Sequence, residues 1–156
     1  MIQIRKNVFE TNSSSCHSVS ISKGVETNNN LQVIDDAVFC QAGEFGWEIV
    51  DYNDAQTKLD YLITMAAATT VGTSYYNSED DCQLIEDFIE TDEFKDIQEC
   101  VREVTGCKNL IVNSLYGYID HQSLYTSIYS FLSENNLTIE QFIFGNVILH
   151  TDNDNH

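Results

Sequence analysis

The sequence predicts an α+β fold: a small mixed or antiparallel sheet, built from N- and C-terminal strands, packed with a helical middle. Three observations lead there. Short apolar segments with strand-like alternation sit near both ends of the chain. Between them, apolar residues recur at helical spacing from about residue 54 to residue 106. Hydrophobic residues make up 42% of the 156, enough to bury a core without splitting into several domains. A single α+β domain over residues 1–150, with a polar tail at 151–156, fits that length.

The elements follow in order. Met1–Lys6 and Ser18–Ser22 alternate as strands do, with an Asn-, Ser- and Thr-rich loop between them. Gly24–Asn30 is a turn. Leu31–Cys40 and Trp47–Val50 read as further strands, separated by Gln41–Gly46. Asn53 or Asp54 can cap a helix running to about Thr70, with Leu59, Leu62, Ile63 and Ala66 on one face. Ser78 with Glu79, Asp80 and Asp81 starts a second helix, because carboxylates suit the positive end of the helix dipole. Leu84, Ile85, Phe88 and Ile89 give it an apolar face. Thr91 caps a third, with Phe94, Ile97, Val101 and Val104 on its apolar side and Gly106 as its C-terminal stop. Asn109–Asn113 is a short buried strand. Asp120 or Gln122 begins a helix through Leu132, Thr138 caps one more turn, and Asn146–His150 is the last strand.

Charge bounds the partners. The chain carries 25 acidic and 7 basic residues, a net of −18. Phosphate contacts need Lys and Arg, so direct nucleic-acid binding is not expected, nor is an anionic membrane surface. No apolar run reaches the roughly 18–20 residues that span a bilayer, and MIQIRK followed by polar residues is not a signal peptide. Five cysteines without a CxxC pair signal neither a zinc cluster nor a disulfide framework, and reduced, mostly buried thiols are expected. No cofactor and no metal are expected.

The charge is uneven. Residues 1–30 have a net charge of +1, while Glu79–Glu103 alone hold eleven acids against Lys95 and Arg102, a net of −9. On the third helix Asp92, Asp96, Glu99 and Glu103 recur at spacings of 4, 3 and 4, a stripe roughly opposite Phe94–Val104. The stripe spans about 16 Å at 1.5 Å per residue. With Glu86 and Glu90 it forms a candidate binding surface for a basic protein, in its sharper form an imitation of a run of phosphates. The competing reading is a solvated helix face.

Candidate chemistry lies elsewhere. Asn12–Ser18 reads NSSSCHS. A serine nucleophile needs a base within hydrogen-bond reach and a group to orient that base. Ser15 or Ser18 meets His17 only by local folding, and neighbours on a strand point apart. No GxSxG elbow is present. Two imidazoles can instead share acid–base work on a phosphodiester: His17 with Ser18 or Ser20 nearby, and His121 with Ser123, Asp120 orienting one of them. Asp152, Asn153 and Asp154 offer metal-type oxygens, but a polar C-terminal tail is the favoured reading. The serines and Asn12 equally well organise a turn, and Gly43–Trp47 (GEFGW) serves either a core or a ligand.

Arg5–Val19, RKNVFETNSSSCHSV, resembles the opening of a family of small proteins encoded by tailed bacteriophages, with the pattern R-x-N-V-F-E-T-N-S-S-S-x-H-S. GEFGW at Gly43–Trp47 and DHQS at Asp120–Ser123 are similar to segments of the same family. The resemblance covers about a tenth of the chain. It implies a phage origin and an infected host cytoplasm, and it carries over no functional residue. The expectation is an accessory protein that binds a host or defence protein, with a hydrolase using His17 and His121, or a virion component, as alternatives.

Overall fold

Five helices, four of them with a side-chain N-cap, and three small sheets make up the computed structural model, which describes residues 17–24, 30–46, 48–74, 81–120 and 124–153. At positions 17–19, 152 and 153 the description is of the backbone. The chain runs through strands β1 (His17–Lys23), β2 (Ala37–Cys40), β3 (Glu44–Phe45) and β4 (Val50–Tyr52), then helices α1 (Ala55–Thr69), α2 (Asp81–Ile89) and α3 (Asp92–Thr105). Strands β5 (Asn109–Val112) and β6 (Tyr118–Ile119), helices α4 (Ile128–Glu134) and α5 (Ile139–Phe144), and strand β7 (Val147–Asn153) complete it. The fold is α+β, with the first and last described strands paired.

That pairing is antiparallel. β7 lies between β1 and β4, with His17 opposite Asn153, Ser20 opposite His150, and Val50 opposite Thr151. One face of this sheet meets the core through Val147, Leu149 and Thr151 of β7 and through the partly buried Ile21 and Tyr52. The middle of the chain forms a different, parallel arrangement. β2 pairs with β5 and β3 with β6. Hydrogen bonds from Asn113 N to Cys40 O (2.8 Å) and from Ala42 N to Ser114 O (2.9 Å) join the two ladders.

α1 is the central element. Leu59, Tyr61, Leu62, Ile63, Met65, Ala66 and Ala67 are all fully buried, so the helix is covered almost all round. Asp54 caps it, accepting from Thr57 N at 2.8 Å. Lys58 is also fully buried, its Nζ donating to Gly145 O and Val147 O at 3.1 and 3.0 Å. Those two bonds fix the turn from α5 into β7. Burial pulls the ammonium pKa down to about 8, against the charge of Asp54, which raises it.

Four boundaries differ from the sequence reading. The strand expected over Leu31–Cys40 starts only at Ala37, because Asp35 and Asp36 adopt positive φ (51° and 62°) in a two-residue hairpin closed by Ile34 and Ala37. The helix expected from Asp120 or Gln122 begins at Ile128. Asp120 N donates to Phe45 O, which commits this stretch to pairing with β3, and the capping box of Ser127 and Ser130 supplies the real start. The last strand runs past His150 to Asn153, into the stretch expected to be a tail, since β1 continues opposite it to His17. The strand expected at Trp47–Val50 is shifted to Val50–Tyr52. The strand at Met1–Lys6 and the helix start at Ser78–Asp80 lie outside the described residues.

Candidate functional site

The acidic surface is built on α3, whose apolar side is buried except for Val104, expected there from the spacing but exposed near the C-terminal end. Thr91 caps α3 by accepting from Phe94 N, and Gly106 ends it at φ 75°. Phe94, Ile97 and Val101 are buried, and Phe88 of α2 packs edge-on against Phe94. Asp92, Asp96, Glu99 and Glu103 are exposed on the other side, as are Glu86 and Glu90 of α2. Neutralisation within the face is slight. Lys95 approaches Glu90 at 3.5 Å, but both side chains are more than half exposed and such pairs contribute little.

Two further elements extend this face, and sequence reasoning missed both. Tyr129 of α4 donates its hydroxyl to Asp96 at 2.5 Å. Partial burial, that hydrogen bond and the charges of Asp96, Glu93 and Asp92 raise its pKa, so it stays a neutral donor. Glu140 of α5 acts on the half-buried Cys100, whose thiol is pushed up to about 11 by burial first and then by Glu140 and Glu103. Glu99, Arg102, Glu103 and Cys107 line an open hollow of about 370 Å³ at the end of the helix. The sequence signal for α4 and α5 joining α3 was weak, because contacts between separate helices have no spacing to read.

Two of the segments singled out in the sequence are in direct contact. Tyr118 N donates to Gly43 O at 3.0 Å and Asp120 N to Phe45 O at 2.9 Å. The glycines make room for this. A Cβ at Gly46, where φ is +104°, would stand 2.7 Å from Asp120 Cβ, and one at Gly117 would stand 2.4 Å from Gly43 O. Asp120 is 1% exposed. The loop after Phe45 leads to Glu48, whose carbonyl accepts from Thr151 Oγ1 at 2.6 Å. Thr151 lies two residues before Asn153, the backbone partner of His17, and Ser18 pairs with Asp152. GEFG is thus joined to Asp120 by backbone hydrogen bonds, and the start of β1 is paired separately with the end of β7. Ser15, His121, Ser123 and Trp47 lie outside the described residues.

A third grouping was not foreseen at all. His150 of β7 has Ser22 Oγ 2.6 Å from Nε2 and Asp51 Oδ1 2.5 Å from Nδ1. The three side chains come from β1, β7 and β4, and Asp51 stands directly opposite His150 in the register. Ser18–Ser22 had been read as one strand and Asn146–His150 as another, but nothing in the sequence relates their registers.

The described cysteines are free thiols. Cys40 and Cys107 are buried, Cys100 is half-buried and Cys82 is exposed. Burial, aided by Asp60, raises the Cys40 pKa well above its ordinary value. That thiol is inert rather than nucleophilic. Among the described residues no helix is long and apolar enough to cross a membrane. No family model, curated protein or solved structure matches the chain.

Proposed function

We propose that this is a small acidic phage accessory protein that binds a host or defence protein with a basic surface, in the host cytoplasm, through the face carried by α2 and α3. One observation supports it above the others. All six carboxylates of Glu86, Glu90, Asp92, Asp96, Glu99 and Glu103 are exposed, while Phe94, Ile97 and Val101 on the opposite side of α3 are buried in the core. The like charges at i, i+4 cost helix stability and are offset by few neighbours. A dense field of one sign accelerates capture of an oppositely charged partner and can take the place of a phosphate run. The test is affinity capture from host lysate at moderate salt, with wild type and with Asp92→Asn, Asp96→Asn, Glu99→Gln and Glu103→Gln combined. A basic protein retained by the first and lost by the second is the expected result. Equal capture by both sinks the reading.

A second reading is favoured by the contact between the Gly43–Gly46 loop and Asp120. It is a hydrolase of phosphodiesters in which His17 and His121 act as acid and base with Asp120 behind them. Turnover of bis(p-nitrophenyl) phosphate, lost in His17→Ala and in His121→Ala, is its expected signature. No turnover by the wild-type chain removes it.

A further inference from the structure

The grouping of Ser22, His150 and Asp51 has the order that a nucleophilic serine requires. In such a relay one imidazole nitrogen takes the serine proton while the other is held by a carboxylate. Here Ser22 Oγ lies 2.6 Å from Nε2 and Asp51 Oδ1 lies 2.5 Å from Nδ1, both within hydrogen-bond reach. A carboxylate can only accept, so Nδ1 carries the proton towards Asp51. Nε2 is then the acceptor, and the Ser22 hydroxyl donates to it. The tautomer follows from the geometry rather than from an observed hydrogen.

The sheet holds the three groups with little freedom. β7 is the middle strand and is paired on both sides, so its backbone cannot slide without breaking both ladders. Leu149 and Thr151, the neighbours of His150, are buried on the core side, which directs His150 to the opposite face. His150 and Ser22 are half-buried, and Asp51 has 68% of its side chain exposed. Ser20 stands opposite His150 in the register and is exposed, yet the hydrogen bond goes to Ser22.

We infer that Ser22, His150 and Asp51 form a second functional site, a serine nucleophile that reacts with neutral or cationic esters. The net charge of −18 disfavours anionic ones. In the acylation step Ser22 Oγ forms a bond to the ester carbonyl carbon and passes its proton to His150 Nε2. The ester C–O bond breaks, and the departing alkoxide takes that proton to leave as the alcohol. Water then attacks the acyl carbon, giving a proton to His150. The bond to Ser22 Oγ breaks, the acid departs, and Ser22 recovers its proton. Asp51 is the positioning residue, holding the imidazole ring and tautomer. Its exposure limits its electrostatic share.

A fluorophosphonate probe tests this on the full chain. Attack by Ser22 expels fluoride and leaves a phosphonyl adduct that peptide mass spectrometry locates. Labelling of Ser22 is expected, slowed by about 100-fold or more in His150→Gln. Asp51→Asn is expected to slow it by about tenfold or less, as suits an exposed carboxylate, and Ser20→Ala to leave it unchanged. Nitrogen-15 NMR of the wild type reads the His150 tautomer without any substitution, so a variant that fails to fold does not remove the test. An Nδ1-protonated ring that loses this preference in Asp51→Asn supports the site. No adduct on Ser22 overturns it, as does an equal labelling rate in folded His150→Gln or an Nε2-protonated ring. None of these outcomes touches the acidic face, so this site and the docking surface stand or fall separately.

Discussion

The helical pair α2–α3 and the half of the molecule built on α1 and the β1–β7–β4 sheet treat charge in opposite ways. On α3 the carboxylates are many, exposed and mostly without a cation of their own. Around α1 and the sheet several ionisable groups are instead held by named partners. Lys58 is tied to two carbonyls, Asp60 accepts from Gln41 N and Gln56 Nε2, and His150 sits between Ser22 and Asp51. The first pattern sets a long-range field and the second sets geometry. A field tolerates the loss of any one member, whereas a held group does not. The comparison can be broken by showing that interior charges titrate freely, or that the acidic stripe is needed for folding.

Lys58 offers the largest effect. Its folded pKa is about 8 against an ordinary 10.5, with burial as the main cause. Across that window the unfolded chain binds the extra proton, so stability rises with pH from about 8 to 10.5. The full span corresponds to about 3 kcal/mol. Urea unfolding of wild type and Lys58→Met at several pH values isolates it. The difference between the two is expected to move in favour of the wild type by that order as pH rises. A difference independent of pH would mean that Lys58 is solvated and that the interior holds no strained charge.

Gly46 tests how closely the same half is fitted. Gly46→Ala meets a positive φ of 104° and brings its Cβ to 2.7 Å from Asp120 Cβ. A cost of about 2 kcal/mol is expected, from backbone strain and the forced shift of Asp120. Thermal unfolding measures it. An unchanged midpoint would show that the loop yields, and that its contact with Asp120 is not a fixed feature.

Local signals in the sequence carried most of the helices. Asp54, Thr91 and Thr138 cap where their residue types and spacing say, and Gly106 stops α3. The stripe from Asp92 to Glu103 was legible for the same reason: one helix and one period fix its geometry. Positions set by distant pairing were not legible. α4 begins at Ile128 because residues 118–120 are claimed by β3, more than seventy residues earlier. The relay at His150 needs Ser22 and Asp51, which are 128 and 99 residues away, and its geometry exists only once β7 has found its register between β1 and β4. Sequence attention went instead to His17 because Cys16, His17 and Ser18 are adjacent, and adjacency on a strand separates side chains rather than joining them.

Asp60 carries a smaller effect of opposite sign to Lys58. Burial lifts its pKa from 3.8 to about 6, against the hydrogen bonds from Gln41 N and Gln56 that lower it, while Asp54 adds to the rise. Between those values the folded chain binds the extra proton. Its stabilising share is therefore present below pH 3.8 and is lost as pH rises through 6. Because the side chain is only partly buried, the span is discounted to about 1–2 kcal/mol. Asp60→Asn should flatten this part of the stability profile. A profile unchanged by the substitution would show Asp60 to be as solvated as the α3 carboxylates.

The smallest effect is expected where the charge is greatest. Combining Asp92→Asn, Asp96→Asn, Glu99→Gln and Glu103→Gln removes like-charge pairs at i, i+4 that cost a few tenths of a kcal/mol each. It also removes an acid from the first turn of α3, where the dipole favours one, and weakens the hydrogen bond from Tyr129 to Asp96. Gains and losses are of similar size, so the unfolding free energy should stay within about 1 kcal/mol of wild type. Added salt should raise the wild type's stability more than the variant's, because only the wild type has repulsion along the stripe to screen. A loss above about 2 kcal/mol would make the carboxylates part of the scaffold, and the case for a docking face would lose its central premise. Near-equality would leave the stripe stable to substitution yet chemically conspicuous, as a surface held for an oppositely charged partner should be.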